Sequence, residues 1–183
     1  MDPIGVGLAV AFMGAMAWLF RWMFAVPPLV SREVAAARGS VTALRRILVP
    51  VVEAVASERA VELACRLGEA QKAEIIVLHV VEVPLTLPLG APMEQEERRG
   101  QAALDTACAI VSRHGLRCIH MIIPDRHAAD GILRVAGDQG ADVIVLGLGE
   151  KRRIMPDQIG RTSREVLRRA HCEVVIDKAP ILV

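Results

Sequence analysis

Tyrosine is absent from this 183-residue chain, and its two tryptophans and three phenylalanines all lie at the start, at Phe12, Trp18, Phe20, Trp22 and Phe24. Beyond Phe24 no Phe, Tyr or Trp ring is left on which a nucleobase could stack, and a formal net charge of +1 supplies no basic field. Both features expected of a nucleic-acid partner are therefore missing. Cysteine is scarce as well. Cys65, Cys108, Cys118 and Cys172 show no C-x-x-C pairing and sit in apolar contexts that read as reduced, buried thiols. No internal repeat and no low-complexity segment is visible, and no Ser-His-Asp or Cys-His constellation follows from spacing.

Basic residues are missing before Arg21, where Asp2 is the only charged side chain. The segment Ile4 to Phe20 is an unbroken run of apolar and small residues, which reaches Val26 if Arg21 sits at an interface. About 17–25 such residues can span a bilayer, with Trp18 and Trp22 as an aromatic belt. A cleaved signal peptide would carry a positive amino-terminal region, which is absent. The expected organisation is a transmembrane helix over 1–26, a juxtamembrane linker over 27–44 and one domain over 45–183. Arg21, Arg32, Arg38, Arg45 and Arg46 on the carboxyl-terminal flank predict a single pass in the inner (cytoplasmic) membrane with the amino terminus outside. Gly7, Ala11, Gly14 and Ala15 recur at spacings of three and four, a face that would dock on an integral membrane partner.

The remaining residues alternate between two periods. Apolar runs occur at Ile47–Val49, Ile75–Leu78, Cys118–Ile123 and Val143–Leu146, with a last short strand at Val174. Between them lie helix-period stretches over Ala54–Ala70, Met93–His114 and Ala128–Asp138, and a helix opening at Gly160. On the first of these Ala60, Val61, Ala64 and Leu67 share one face, opposite Glu58, Arg59, Glu62, Arg66 and Glu69. Strands apolar throughout and separated by helices predict an α/β domain with a parallel sheet covered on both sides.

The stretch from Val143 to Val175 carries the chemistry. A buried strand, a glycine-bearing turn (Gly147-Leu-Gly149), a basic connection and Gly160-Arg-Thr-Ser163 opening a helix follow in the order that builds an anion cradle. Together with Arg46-Ile-Leu-Val-Pro-Val51, Ala56-Ser-Glu-Arg-Ala60, Leu78-His-Val-Val-Glu-Val-Pro84, Gly140-Ala-Asp-Val-Ile-Val-Leu-Gly147 and Glu165-Val-Leu-Arg-Arg-Ala-His-Cys172, it resembles a universal stress protein domain over about Leu44 to Asp177. The resemblance implies a five-stranded, flavodoxin-like parallel sheet of order 3-2-1-4-5. The ligand crevice would then lie beyond the ends of the Ile47 and Val143 strands. The nucleotide-binding branch of that family carries a G-x-x-G pair, then G-[ST], and an Asp after the first strand that contacts adenine. Here the first Gly is Gly147, the second position holds Glu150, the third is Gly160, the Ser/Thr position holds Arg161 and the Asp position holds Val52. Gly149, Thr162 and Ser163 lie beside the altered positions. A carboxylate at 150 would repel phosphate, and Val52 cannot accept a hydrogen bond from the adenine amine.

Other candidates are read with structural roles. Asp125, His127 and Asp130 could bind metal or shuttle a proton, but Asp125 reads as a helix N-cap and His127 as a solvated first-turn residue. His79, inside an apolar strand, reads as a hydrogen-bonded core histidine. Lys151, Arg152, Arg153, Arg164, Arg168 and Arg169 could face anionic headgroups or form a solvated helix face. No metal site and no firm cofactor is expected, and Glu173–Asp177 is expected as an edge strand pairing with a second copy. The functional expectation is a membrane-anchored, non-catalytic regulatory or accessory module with a degenerate nucleotide pocket. The alternative is an ATP- or AMP-binding stress sensor using Gly147, Gly149, Gly160, Arg161, Thr162 and Ser163.

Overall fold

Strands that are apolar at every position need two covered faces, and the computed structural model supplies both. It describes residues 3–24, 44–52, 55–148 and 159–178, and the chain divides into two units, Met1–Thr42 and Ala43–Val183. The first unit contains helix α1 (Pro3–Phe24), whose Pro3 occupies the position where a missing N–H goes unnoticed. The predicted membrane span is overturned here: among the described residues, no helix is long and apolar enough to cross a membrane. The single-pass inner-membrane assignment, with its outside amino terminus, falls with it. A methyl group added at Gly7 or Gly14 would meet nothing within 4 Å. The docking face they share with Ala11 and Ala15 presupposes the span and is not carried forward. The predicted linker lies outside the described residues except Leu44, which is buried in the core of the second unit.

The second unit runs β1 (Arg46–Pro50), α2 (Val55–Gly68) with a 3₁₀ turn (Glu69–Gln71), β2 (Glu74–Glu82), α3 (Glu94–Arg113), β3 (Arg117–Asp125), α4 (Ala128–Gln139), β4 (Val143–Leu148), α5 (Arg161–Arg169) and β5 (Glu173–Lys178). All five strands are parallel, in the order β3-β2-β1-β4-β5 that the resemblance implies. The period of two along each strand divides the core. Ile47, Val49, Ile75, Val77, Val143 and Val145 face α2 and α3, where Ala60, Val61, Ala64, Leu104 and Val111 meet them. Leu48, Ile76, Leu78, Ile144 and Leu146 face α4 and α5, against Ile132, Val135, Ala136 and Val166.

One histidine and one glycine lock this architecture together. His79 is 7% exposed, and its Nδ1 donates to the Val51 carbonyl at 2.9 Å, tying β2 to the chain just past β1. The expected core histidine is thus in place. Gly100 of α3 lies over its ring so closely that a methyl group there would overlap it. On the outside of the same layer His114 of α3 meets Glu62 of α2 at 3.0 Å. That hydrogen bond, helped by the His114 and Arg66 charges, holds the Glu62 carboxyl below its ordinary value against the opposing effect of burial.

The cysteine expectation needs correction. Cys108 of α3 and Cys118 of β3 form a disulfide with their Cα atoms 5.7 Å apart. A three-residue turn through Gly115, at φ 65°, folds β3 straight back along α3, so residues with no motif between them come face to face. Cys65 and Cys172 are free, and burial, then the charges of Glu62 and Glu69, push the Cys65 thiol up to about 11.

Two glycines give a test of this packing. Gly100→Ala should destabilise the protein by about 1–3 kcal/mol, because the added methyl must displace the His79 ring. Gly137→Ala on α4, where a methyl meets nothing within 4 Å, should be neutral or stabilising by up to about 1 kcal/mol. Urea unfolding of the two variants measures both, and equal midpoints would contradict the His79–Gly100 contact.

Candidate functional site

The winding of the sheet reverses at β1: β2 follows on one side and β4 lies on the other. A ligand in such a sheet sits past the carboxyl ends of these strands, where the two loops part. On the β1 side the backbone is fully engaged. The Val51 N–H donates to Leu78 O at 2.8 Å, the Val51 carbonyl accepts from His79, and the Val52 N–H donates to Ser57 Oγ at 3.0 Å. Ser57 is buried, whereas Val52 leaves 60% of its surface exposed beside exposed Val55. Among its described residues, the β1 lip of the crevice therefore exposes the apolar side chains of Val52 and Val55. Sequence reasoning missed Ser57, although a hydroxyl in the first turn of a helix is the expected signal for such a backbone bond.

On the β4 side the predicted glycine loop is partly strand. Gly147 and Leu148 pair in register with Asp177 and Lys178 of β5. A side chain at 147 would collide with the Ala56 carbonyl, so the glycine is required by the approach of α2. Gly149 and Glu150 lie outside the described residues, as do Lys151, Arg152 and Arg153. Asp177, at the end of β5, accepts from Arg59 of α2 at 3.0 Å, which neutralises the carboxylate nearest this lip.

Helix α5 supplies the remaining wall. A helix that returns from the end of β4 to the start of β5 begins at the carboxyl end of the sheet, so Gly160-Arg-Thr-Ser163 opens toward the crevice. Gly160 is the N-cap and offers no side-chain bond, and the first turn holds no acid. Its N–H groups thus point outward with the positive end of the helix dipole uncompensated. Thr162 and Ser163 are half-buried, and Arg161 is exposed with no ion pair among the described residues. This arrangement can hold an anion through backbone N–H groups, two hydroxyls and a guanidinium.

The third lip corrects the expected N-cap. The cap of α4 is His127, and the Ala128 N–H is satisfied by Glu82 of β2 at 2.7 Å. Asp125 turns instead to Arg134 Nη2 at 2.8 Å and to the Arg126 N–H at 2.7 Å. Asp130 pairs with Arg169, and Arg168 with Glu165, so these arginines are held within the fold. Among the described residues no group of three or more His, Cys, Asp or Glu could hold a metal ion. A separate open cleft of about 590 Å³ lies between α3 and β3, lined by Glu94, Glu97, Arg98, Gln101, Ile122 and Pro124 with the loop before α3.

A model of the universal stress protein family matches residues 43–178. A universal stress protein of Methanocaldococcus jannaschii is 26% identical over 142 residues, covering 74% of this chain and 83% of that protein. The chain is similar to the structure of the universal stress protein from Archaeoglobus fulgidus in complex with dAMP, at 17% identity and TM-score 0.60 over 74% of this chain and 98% of that one. It is also similar to a universal stress protein family protein from Arabidopsis thaliana with AMP bound, at 20% identity and TM-score 0.56 over 75% and 93%. These structures share its fold.

Asp125 makes the site region acid-sensitive in a stated direction. Burial alone would raise its carboxyl, but the Arg134 hydrogen bond and charge and the Arg126 and His127 N–H groups outweigh it and hold it below 3.8. A depressed carboxyl contributes stability that is complete above its unfolded value and lost as pH falls through the folded one. Wild-type protein should therefore lose melting temperature below about pH 4 more steeply than Asp125→Asn. Thermal unfolding between pH 2.5 and 6 checks this, with parallel curves as the contrary result.

Proposed function

The chain belongs to the universal stress protein family, and from that premise we propose that it is a non-catalytic regulatory module whose nucleotide crevice keeps an anion-binding wall but has lost its reading of the base. The observation that carries this reading is the β1 lip. Val52 stands where the family resemblance puts the adenine-contacting Asp, and the N–H and C=O of Val51 and the N–H of Val52 are already bonded to Leu78, His79 and Ser57. An adenine amine arriving there would give up water for an apolar surface, an uncompensated desolvation of about 1–3 kcal/mol.

A second reading, a sensor of ATP or AMP, is favoured by the open first turn of α5 with Arg161, Thr162 and Ser163, and by the dAMP and AMP bound to the Archaeoglobus and Arabidopsis proteins. Titration calorimetry of the full chain separates the two. ATP and AMP should bind no tighter than roughly 100 μM. A low-micromolar dissociation constant, or adenine nucleotide released when the purified protein is heated, would establish the sensor in place of the weakened pocket.

Regulation without catalysis needs a surface, and β5 offers one. Among the described residues it pairs only with β4, and Val174, Val175 and Ile176 along it are half-buried. A six-residue edge with free N–H and C=O groups pairs readily with a second copy of itself. A dimeric mass is expected by light scattering of the full chain, and a monomer at every concentration measured would remove the dimer from this proposal.

A further inference from the structure

The open cleft between α3 and β3 and the disulfide between the same two elements suggest one device. Glu94, Glu97, Arg98 and Gln101 form the helix wall of the cleft, and Ile122 and Pro124 the strand wall. Cys108 lies two turns further along that helix, and Cys118 four residues earlier on that strand. Among the described residues β3 is an edge strand, paired only with β2. Its outer margin has no ladder partner there, so beyond the turn at Gly115 the cysteine pair is the covalent restraint that joins it to α3. The cleft volume of about 590 Å³ lies within the range of about 300–1,000 Å³ that ligands occupy.

We propose that Cys108–Cys118 is a reversible thiol–disulfide site, a clasp that holds the α3 and β3 walls of the cleft together when oxidised and frees them when a dithiol reduces it. Both cysteines are half-buried rather than sealed, so a thiolate can reach them. Cys65, fully buried with its thiol raised, and Cys172, half-buried on the opposite face of the sheet, lie outside this pair. The step balances. One thiolate of the dithiol attacks one sulfur of the pair, forming a mixed disulfide and releasing the other cysteine as a thiolate that takes up a proton. The second thiol of the reductant then attacks the mixed disulfide, closes its own disulfide and returns the first cysteine as a thiol. Two electrons and two protons pass to Cys108 and Cys118. α3 stays seated, because Leu104, Ala107 and Val111 remain in the core and His114 still meets Glu62. The motion is therefore confined to the edge strand and the cleft wall.

The test uses the full chain purified without reductant in air. Iodoacetamide in denaturant should label two of the four cysteines, and all four after native treatment with dithiothreitol and quenching. Hydrogen exchange should then rise on the order of tenfold or more across 94–101 and 117–125, because loop restraint of this length is worth that much local opening, with β4 unchanged. Cys108→Ser without reductant should reproduce the reduced pattern. Four labelled cysteines before any reduction would overturn the clasp, as would a pair that native dithiothreitol leaves intact. Unchanged exchange in both segments of the reduced wild type would do the same, whether or not the variant folds.

Discussion

Burial of β1 on both faces is the constraint from which the rest of this domain follows. Ile47 and Val49 point to one side, Leu48 to the other, and all three have no exposed surface. A strand this apolar cannot sit at an edge, so the chain must extend the sheet on either side of it: β2 and β3 one way, β4 and β5 the other. Helices must then cover both faces, with α2 and α3 on one and α4 and α5 on the other. The crevice is a consequence of the same requirement. Wherever successive loops leave a parallel sheet in opposite directions, the carboxyl ends of the two central strands are left uncovered.

Glycine has two uses in this fold that look alike in sequence. Gly147 belongs to a strand–turn pattern of the kind that cradles phosphate, yet its lack of a side chain is demanded by the Ala56 carbonyl. Gly100, in the middle of a long helix, looks like a defect in helix propensity, yet it lets α3 settle on the His79 ring, which in turn holds Val51. In both places a backbone-to-neighbour approach fixes the residue before any ligand is considered. The geometry of the β1 lip therefore depends on a contact from α3, far away in sequence, as much as on the residues of the lip itself.

The layer pattern was legible because it is periodic. Alternation by two divided Ile75 and Val77 from Ile76 and Leu78, and the face Ala60, Val61, Ala64 on α2 appeared at helical spacing. Features that depend on tertiary return were not legible. The Cys108–Cys118 bond joins residues that only a tight turn at Gly115 brings together. Asp125 reads as a cap from its position before α4, but Arg134, a turn and more into that helix, folds back to take it, and Glu82 from the next strand caps in its place. The helix read from the apolar run, its aromatic belt and its basic flank forms at Pro3–Phe24, but among the described residues no helix is long and apolar enough to cross a membrane. At the crevice, the family resemblance implied three replaced positions, Val52 for the adenine acceptor, Glu150 for a glycine and Arg161 for a hydroxyl. Only coordinates show that the backbone around Val51 and Val52 is engaged as well.

Electrostatics distinguishes the α5 wall of the crevice from its β1 lip. Among the described residues, three carboxylates near the carboxyl end of the sheet are ion-paired: Asp177 with Arg59, Asp125 with Arg134, and Asp130 with Arg169. Partly buried pairs of this kind are worth retaining, because breaking one leaves a charge without its partner in a poorly solvated place. Among the described residues, then, these acids are paired, while Arg161 has no ion pair and the first turn of α5 has no side-chain cap. An anion meeting the described part of that rim is attracted by the helix terminus and guanidinium, whereas a carboxylate at 150 would act against it. Base recognition is a different problem, since it needs an acceptor placed opposite the adenine amine, and the Val52 side chain provides none. In the proposed reading, attraction for phosphate and selection of a base rest on different lips of one crevice, so substitution at β1 would remove the second while leaving the first in place.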